Sequence, residues 1–123
     1  PPAMRFAALL DRPFVGLAAD SGLSRFLHRQ AARAGRIPHH RVRVRSFDVV
    51  ARLVGMGVGV AVMPLSAAQR WCADDAEIAP LADAWASRRL LVCTTPRSAA
   101  SAGARALLGF LDQTGGLGKP VSA

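Results

Sequence analysis

The chain has 123 residues, 51% of them hydrophobic, which is enough for one domain with a buried core. Its formal charge of +8 would suit a nucleic-acid surface, but the arginines are scattered and no basic run carries interleaved aromatic residues, so direct DNA binding by this piece is not indicated. No apolar run approaches the roughly 20 residues of a membrane span and no signal peptide opens the chain, which favours a cytoplasmic location without a membrane partner.

The first forty residues predict one strand and one helix. Residues 1–12 hold a short apolar patch without a clear period, and the absence of an initiator Met favours a lead-in segment from a longer protein. Residues 14–18 (FVGLA) predict the first strand, and residues 20–22 (DSG) predict the turn that caps the next element. Apolar residues at helical spacing from Leu23 to Ala34 predict an amphipathic helix, which Gly35 and Pro38 end.

The stretch from residue 41 to residue 64 predicts a strand–helix–strand unit with a right-handed crossover. Arg and Val alternate over 41–45, so the valines share one face and we expect this strand at a sheet edge, or with one face poorly covered. Ser46 is predicted to cap the following helix with its side-chain oxygen, and Asp48 adds negative charge to the first turn. Glycines at 55, 57 and 59 end that helix, and the apolar run 58–63 predicts a buried strand ending at Pro64.

The remainder of the chain predicts a further alternation of elements. A capping box at Ser66 and Gln69 predicts a short helix through Trp71, followed by a turn over 72–75 and a short strand over 77–81. A tight connection over 83–86 then leads to a buried strand over 89–95 and a loop over 96–100. The chain is predicted to end with a helix over 101–113 and a flexible tail over 115–123. The repeated alternation predicts the α/β fold class, with a mostly parallel sheet flanked by helices and one domain over 13–114.

The residue pattern does not indicate catalysis, a cofactor or a metal. The three central glycines follow a helix and precede a strand, whereas a dinucleotide-binding glycine loop follows a strand and opens a helix. No histidine has a serine or acidic neighbour that would complete a catalytic triad, and the acidic residues are few and scattered. His39 and His40 lack further ligands for a metal site, and Cys72 and Cys93 are expected to be reduced thiols.

What the pattern does indicate is a binding geometry at two helix N-termini, over residues 19–23 and 46–48. In open α/β sheets, ligands bind outside the carboxyl ends of the strands, where free N–H groups and hydroxyls suit a small carboxylate or another anion. Met63, Pro64 and Leu65 would add an apolar wall after the third strand. The same residues also suit plain capping and core packing, and the residues alone slightly favour that interpretation over a ligand site.

Three stretches of the sequence carry a family resemblance. RVRVRSFDVVARLVGMGVGVAVMP over 41–64 resembles the second half of the effector-binding domain of LysR-type transcriptional regulators. FVGL over 14–17 with its following helix, and DAWASRRLLVC over 83–93 with its closing helix, are similar to the same domain in order and spacing. The resemblance covers about residues 13 to 114, and its most specific part is the helix, glycine turn and strand over 49–64.

The resemblance implies a bacterial regulator with an N-terminal helix-turn-helix and two α/β subdomains resembling type II periplasmic binding proteins. A small metabolite would bind between the subdomains, and the homo-oligomer, a dimer or tetramer, would hold DNA through the N-terminal part rather than through this piece. By resemblance this chain is the second subdomain with the returning strand and helix, and it lacks half of the cleft. The effector-binding residues carried over are Asp20, Ser21, Ser46, Phe47, Met63 and Pro64.

Two alternatives share this fold. A lobe of a periplasmic solute-binding protein would require an export signal, and an enzyme, for instance a small-molecule transferase, would require acid/base or nucleophilic residues at the strand ends. The sequence at these strand ends offers only hydroxyls and an aspartate. The regulator interpretation is therefore the favoured one.

Overall fold

A computed structural model describes residues 1–88, 93 and 95–113, with the side chains of residues 98 and 99 excepted. The described elements are α1 (Phe6–Leu9), β1 (Phe14–Leu17), α2 (Gly22–Arg33), β2 (His40–Val44), α3 (Phe47–Gly55), α4 (Leu65–Trp71), a 3₁₀ turn (Ala84–Ala86), α5 (Pro96–Ala99) and α6 (Ala102–Gln113). The chain divides into two compact units, Pro1–Ser87 and Arg88–Ala123, each described by itself below.

The sheet of the first unit is parallel, which confirms the α/β class. β1 pairs with β2, with Val15 opposite Val42 and Leu17 opposite Val44, and the register is irregular between Phe14 and Val15. The connection between the strands runs through α2, as a parallel pair requires. Within the described residues β2 has only β1 as a neighbour, so it is an edge strand, as its Arg/Val alternation predicts.

The two further strands predicted in this unit are each reduced to one bridge. Val60 pairs with Phe14 in the parallel sense, and the Val60 N–H donates to the Pro13 carbonyl at 2.9 Å. Beyond Val60 the chain leaves β1, because Val62 packs against the core and Pro64 begins the turn into α4. The predicted strand over 77–81 survives only as a parallel bridge between Leu81 and Met4.

The helix ends follow the predicted glycine signals. Gly35 after α2 and Gly57 after α3 both have positive φ, +68° and +82°, which L side chains rarely adopt. The Gly57 N–H donates to the Val54 carbonyl at 2.9 Å, and the Val58 N–H donates to the Leu53 carbonyl at 3.1 Å. These two bonds are the Schellman arrangement, which satisfies carbonyls that the helix end leaves without a partner.

The first twelve residues are part of the core of the first unit rather than a segment outside it. Phe6, Leu9 and Leu10 are buried and cluster with Phe14 and Ala31. The N–H of Phe6 donates to a carboxylate oxygen of Asp83 at 2.7 Å, which ties α1 to the segment before the 3₁₀ turn. The domain boundary predicted at residue 13 therefore leaves out side chains on which the core depends.

Four local predictions were wrong or lie outside the described residues. The capping box at Ser66 and Gln69 is wrong: α4 has Pro64 at its N-cap and no side-chain capping bond, so Ser66 lies inside the helix. The loop predicted over 96–100 is wrong because Pro96–Ala99 forms the short helix α5. Most of the strand predicted over 89–95, and all of the tail predicted over 115–123, lie outside the described residues.

The second unit contains α5 and α6. The helix predicted over 101–113 is confirmed as α6, Ala102–Gln113, and the Ala104 N–H donates to the Ser101 hydroxyl oxygen at 3.3 Å. Leu107 and Phe110 on α6 are exposed.

Candidate binding site at the carboxyl edge of the sheet

The parallel register of β1 and β2 brings two of the predicted site loops to one edge of the sheet. Leu17 lies opposite Val44, so both strands end at the same edge. The segment after β1 leads into α2 through residues 20–21, and the segment after β2 leads into α3 through residues 46–47. The bridge at Val60 is also parallel, but beyond it the chain leaves β1 before residues 63–64. The fold thus brings the loops at Ser21 and Ser46 to one edge of the sheet.

The loop after β1 is fixed by two serine hydroxyls. Ser21 is the N-cap of α2, and its hydroxyl oxygen accepts from the Ser24 N–H at 3.1 Å. The Ser24 hydroxyl donates to the Leu17 carbonyl at 2.9 Å, which ties α2 to the end of β1. A hydroxyl that accepts one bond still has a proton to donate, so Ser21 can both cap α2 and donate to a ligand. Asp20 is exposed beside it and supplies an acceptor for ligand O–H or N–H groups.

The loop after β2 differs from its prediction in one respect. Ser46 occupies the N-cap position of α3 but makes no side-chain capping bond. A hydrogen bond from Ser46 to the carboxylate of Asp48 is instead the largest cause that lowers the pKa of Asp48, and the Asp48 and Val49 backbone N–H groups lower it further. An anionic ligand at this helix end would therefore compete with the exposed carboxylate of Asp48 for the same donors.

The described residues form clefts beside the predicted loops rather than around them. A cleft of about 430 Å³ is lined by Ala19, Ser24, Arg25, His28, Arg29, His40 and Arg43. A second cleft, of about 270 Å³, is lined by Asp48, Ala51, Arg52, Trp71, Ala73 and Asp75. Neither contains any of the six sequence-predicted residues. Among these six, Phe47 and Met63 are half-buried and Pro64 is exposed, so in the first unit the predicted loops form an open edge.

Sequence reasoning missed the basic residues of the larger cleft. Arg25, His28 and Arg29 lie outside the apolar residues that predicted this helix, and His40 was considered only as a metal ligand. Their spacing at i, i+3 and i+4 on α2 does place the three on one face, which is the signal that could have found them. The contribution of His40 depends on the register irregularity at Phe14, which the sequence does not show.

Several other classes of site are absent from the described residues. No group of three or more His, Cys, Asp or Glu side chains could hold a metal ion in the described part of the chain. Cys72 and Cys93 are free thiols. No helix within residues 1–88 and 95–113 is long and apolar enough to cross a membrane.

Comparison with known families gives one match. Residues 1–116 match the sequence model described as the LysR substrate binding domain, which is nearly the whole chain. The match includes the first twelve residues, in agreement with their place in the core. Comparisons with curated proteins and with solved structures gave no match.

Proposed function

Because the chain belongs to the family of LysR substrate-binding domains, we propose that it is the effector-sensing subdomain of a LysR-type, DNA-binding transcriptional regulator. Domains of this family have an effector-binding, regulatory role in transcription regulators and are not enzymes. The proposal is that a small metabolite with a carboxylate or another anionic group binds between this subdomain and a second one. Residues 20–21, 46–47 and 63–64 would form this subdomain's share of the contacts.

The observation that carries the proposal is the shared carboxyl edge of β1 and β2. Two helices begin directly after these strands, and the first turn of each has backbone N–H groups that lack intrahelical partners. The Ser21 and Ser46 hydroxyls stand at the two N-caps. A carboxylate placed between the two loops would accept hydrogen bonds from both and would gain from both helix dipoles.

In this proposal the effector acts by population shift. A ligand that contacts both subdomains binds the closed arrangement better than the open one, so it shifts the regulator toward the closed arrangement by that difference in affinity. The DNA-binding parts, an N-terminal helix-turn-helix in a cytoplasmic homo-oligomer, would be re-aimed as a result. The chain described here would contribute the sensing half and not the DNA contacts.

The test uses the full-length regulator and its promoter DNA. A panel of small aliphatic and aromatic carboxylates is first screened for a compound that shifts the DNA-binding midpoint in fluorescence anisotropy. Ser46→Ala and Phe47→Ala are then titrated with that compound. We expect both variants to need more compound for the same shift while their DNA affinity without it stays unchanged.

The matched control is Ser87→Ala, which removes an exposed hydroxyl at the end of the 3₁₀ turn, outside the three site segments. We expect its response to equal that of the unmodified protein. An unchanged response in both Ser46→Ala and Phe47→Ala would refute the assignment of these residues. A panel without any active carboxylate would refute a carboxylate as the effector.

A further inference from the structure

The larger cleft, between α2 and β2, is lined by a cluster of basic side chains. Helix α2 contributes Arg25, His28 and Arg29, and strand β2 contributes His40 and Arg43. The other lining residues are Ala19 and Ser24, so the lining contains no carboxylate. Three guanidinium groups around one cleft of about 430 Å³ create a local positive potential that its own lining does not offset.

The arginines of this cleft are not neutralised by ion pairs elsewhere in the described part of the chain. Arg36 forms an ion pair with Asp11, and neither residue lines the cleft. Arg29 lies over the ring of Phe26, with 5.9 Å from the guanidinium carbon to the ring centroid. This stacking orients the guanidinium but leaves its N–H groups available for an oxygen acceptor.

The position of Arg43 is set by two further residues. The guanidinium of Arg43 lies 3.2 Å from Nδ1 of His40, and a neutral imidazole accepts that hydrogen bond. The His40 ring in turn packs over Gly16 of β1, where a Cβ would lie 2.7 Å from the ring. Only a glycine leaves room for the imidazole at this distance. Gly16, His40 and Arg43 thus form a chain of contacts that holds one guanidinium in place.

We propose that this basic cleft, which contains none of the six residues predicted at the carboxyl edge, is a second ligand site that binds a small oxoanion carrying two or more negative charges. Arginine side chains recognise carboxylate and phosphate groups through paired N–H···O bonds, and three of them match a ligand with more than one charge. Cleft size favours a small molecule over a polymer, because it lies at the lower end of the range of ligand pockets, roughly 300–1,000 Å³. No Phe, Tyr or Trp side chain, of the kind on which single-stranded nucleic acid stacks, lines it.

The first experiment is isothermal titration calorimetry of the chain at constant ionic strength. Inorganic pyrophosphate and citrate are the probes, and acetate is the singly charged comparison. The cleft variant carries Arg25→Gln with Arg43→Gln. The matched control carries Arg12→Gln with Arg33→Gln, which removes the same charge from exposed positions outside the cleft. Circular dichroism checks that both variants remain folded.

We expect 1:1 binding of pyrophosphate or citrate to the unmodified chain and to the control, and only weak binding of acetate. The cleft variant should bind roughly ten-fold more weakly or worse, because it loses the charge-assisted hydrogen bonds of two guanidinium groups. Preference between the two probes tells phosphate ligands from carboxylates. An equal loss of affinity in the two double variants would overturn the proposal. So would a chain that binds neither small anion but binds duplex DNA, if the cleft variant binds that DNA more weakly.

A second measurement needs no variant. Proton NMR signals of the histidine rings are followed while pyrophosphate is added to the unmodified chain. His28 and His40 line the cleft, whereas His39 is exposed and does not, so it serves as an internal control. We expect the first two signals to move with the same saturation curve and the His39 signal to stay in place. Equal movement of all three signals, or of none, would contradict a specific site.

Discussion

His40 makes the stability of the chain depend on pH. Burial is the largest cause that lowers its pKa below 6.5, and the charge of Arg43 on the same strand adds to it. His28 of α2 and the neighbouring His39 lower the pKa further, while a backbone hydrogen bond at Pro38 opposes them. Arg25 and Arg29 of α2 line the same cleft. The folded chain therefore favours the neutral imidazole.

The sign of the effect follows from proton binding. Just below pH 6.5 this histidine is protonated in the unfolded chain but still largely neutral in the folded chain, so the unfolded state binds more protons. We expect the free energy of unfolding to be highest above that pH and to fall as the pH drops through the lowered pKa. Urea unfolding between about pH 5 and pH 8 measures the slope.

A variant separates His40 from the other histidines. In His40→Gln the stability should lose most of its dependence on pH in this window, whereas His39→Gln should keep it, because His39 is exposed outside the cleft. The same slope in the unmodified chain and in His40→Gln would show that other groups carry the dependence.

At the scale of the elements, the helix ends depend on single glycines. Gly57 has a φ of +82° after α3, and an L side chain in the left-handed region costs about 1–2 kcal/mol. We expect Gly57→Ala to lower the free energy of unfolding by about 1 kcal/mol. Gly22→Ala is the matched control, because Gly22 begins α2 without a positive φ and with open space around it. Urea unfolding compares the two, and an equal effect in both would contradict the argument from backbone conformation.

The helices α2 and α3 were predicted better than the strand after Gly59 for a physical reason. Apolar spacing, Ser21 at an N-cap and glycines at two C-caps are local signals, and they placed α2 and α3 within a residue or two of their observed ends. A strand needs a partner that is distant in sequence. The apolar run after Gly59 has the composition of a strand, but it meets β1 only at Val60 before Val62 enters the core. Composition alone does not show how many residues of such a run pair with a neighbouring strand.

The candidate site, like the fold, was predictable only where it follows from local signals and from the order of the elements. Parallel strands end at one edge, so the shared position of the loops at Ser21 and Ser46 followed from the order of the elements. The bond from Ser46 to Asp48 in place of a helix cap did not follow, because both arrangements suit the same residues. The basic cleft was missed since it joins side chains of α2 to the start of β2, where the register with β1 is irregular.

At the scale of the whole first unit, a chain of aromatic rings joins four segments into one core. The ring of Phe6 in α1 lies 6.1 Å from that of Phe14 in β1 and 5.4 Å from that of Trp85 in the 3₁₀ turn, measured between centroids. Trp85 also meets Phe26 of α2, at 5.3 Å. All three contacts are edge-to-face or nearly so, the arrangement that aromatic pairs favour. The site loops are therefore held by a core that includes the first helix of the chain.

This arrangement predicts that Phe6 supports the unit as a whole, although it is distant from every candidate site residue in sequence. Phe6 is 3% exposed, so Phe6→Ala removes a buried ring from two aromatic contacts and leaves a cavity. We expect a loss of about 3–4 kcal/mol in the free energy of unfolding, which is large for a domain of this size. Ile37→Ala removes an apolar side chain that is 77% exposed and should change the same quantity by less than about 0.5 kcal/mol. If the two substitutions cost the same in urea unfolding, the first helix is dispensable and the core begins at β1; if Phe6→Ala alone unfolds the chain, the loops at the carboxyl edge depend on α1 for their position.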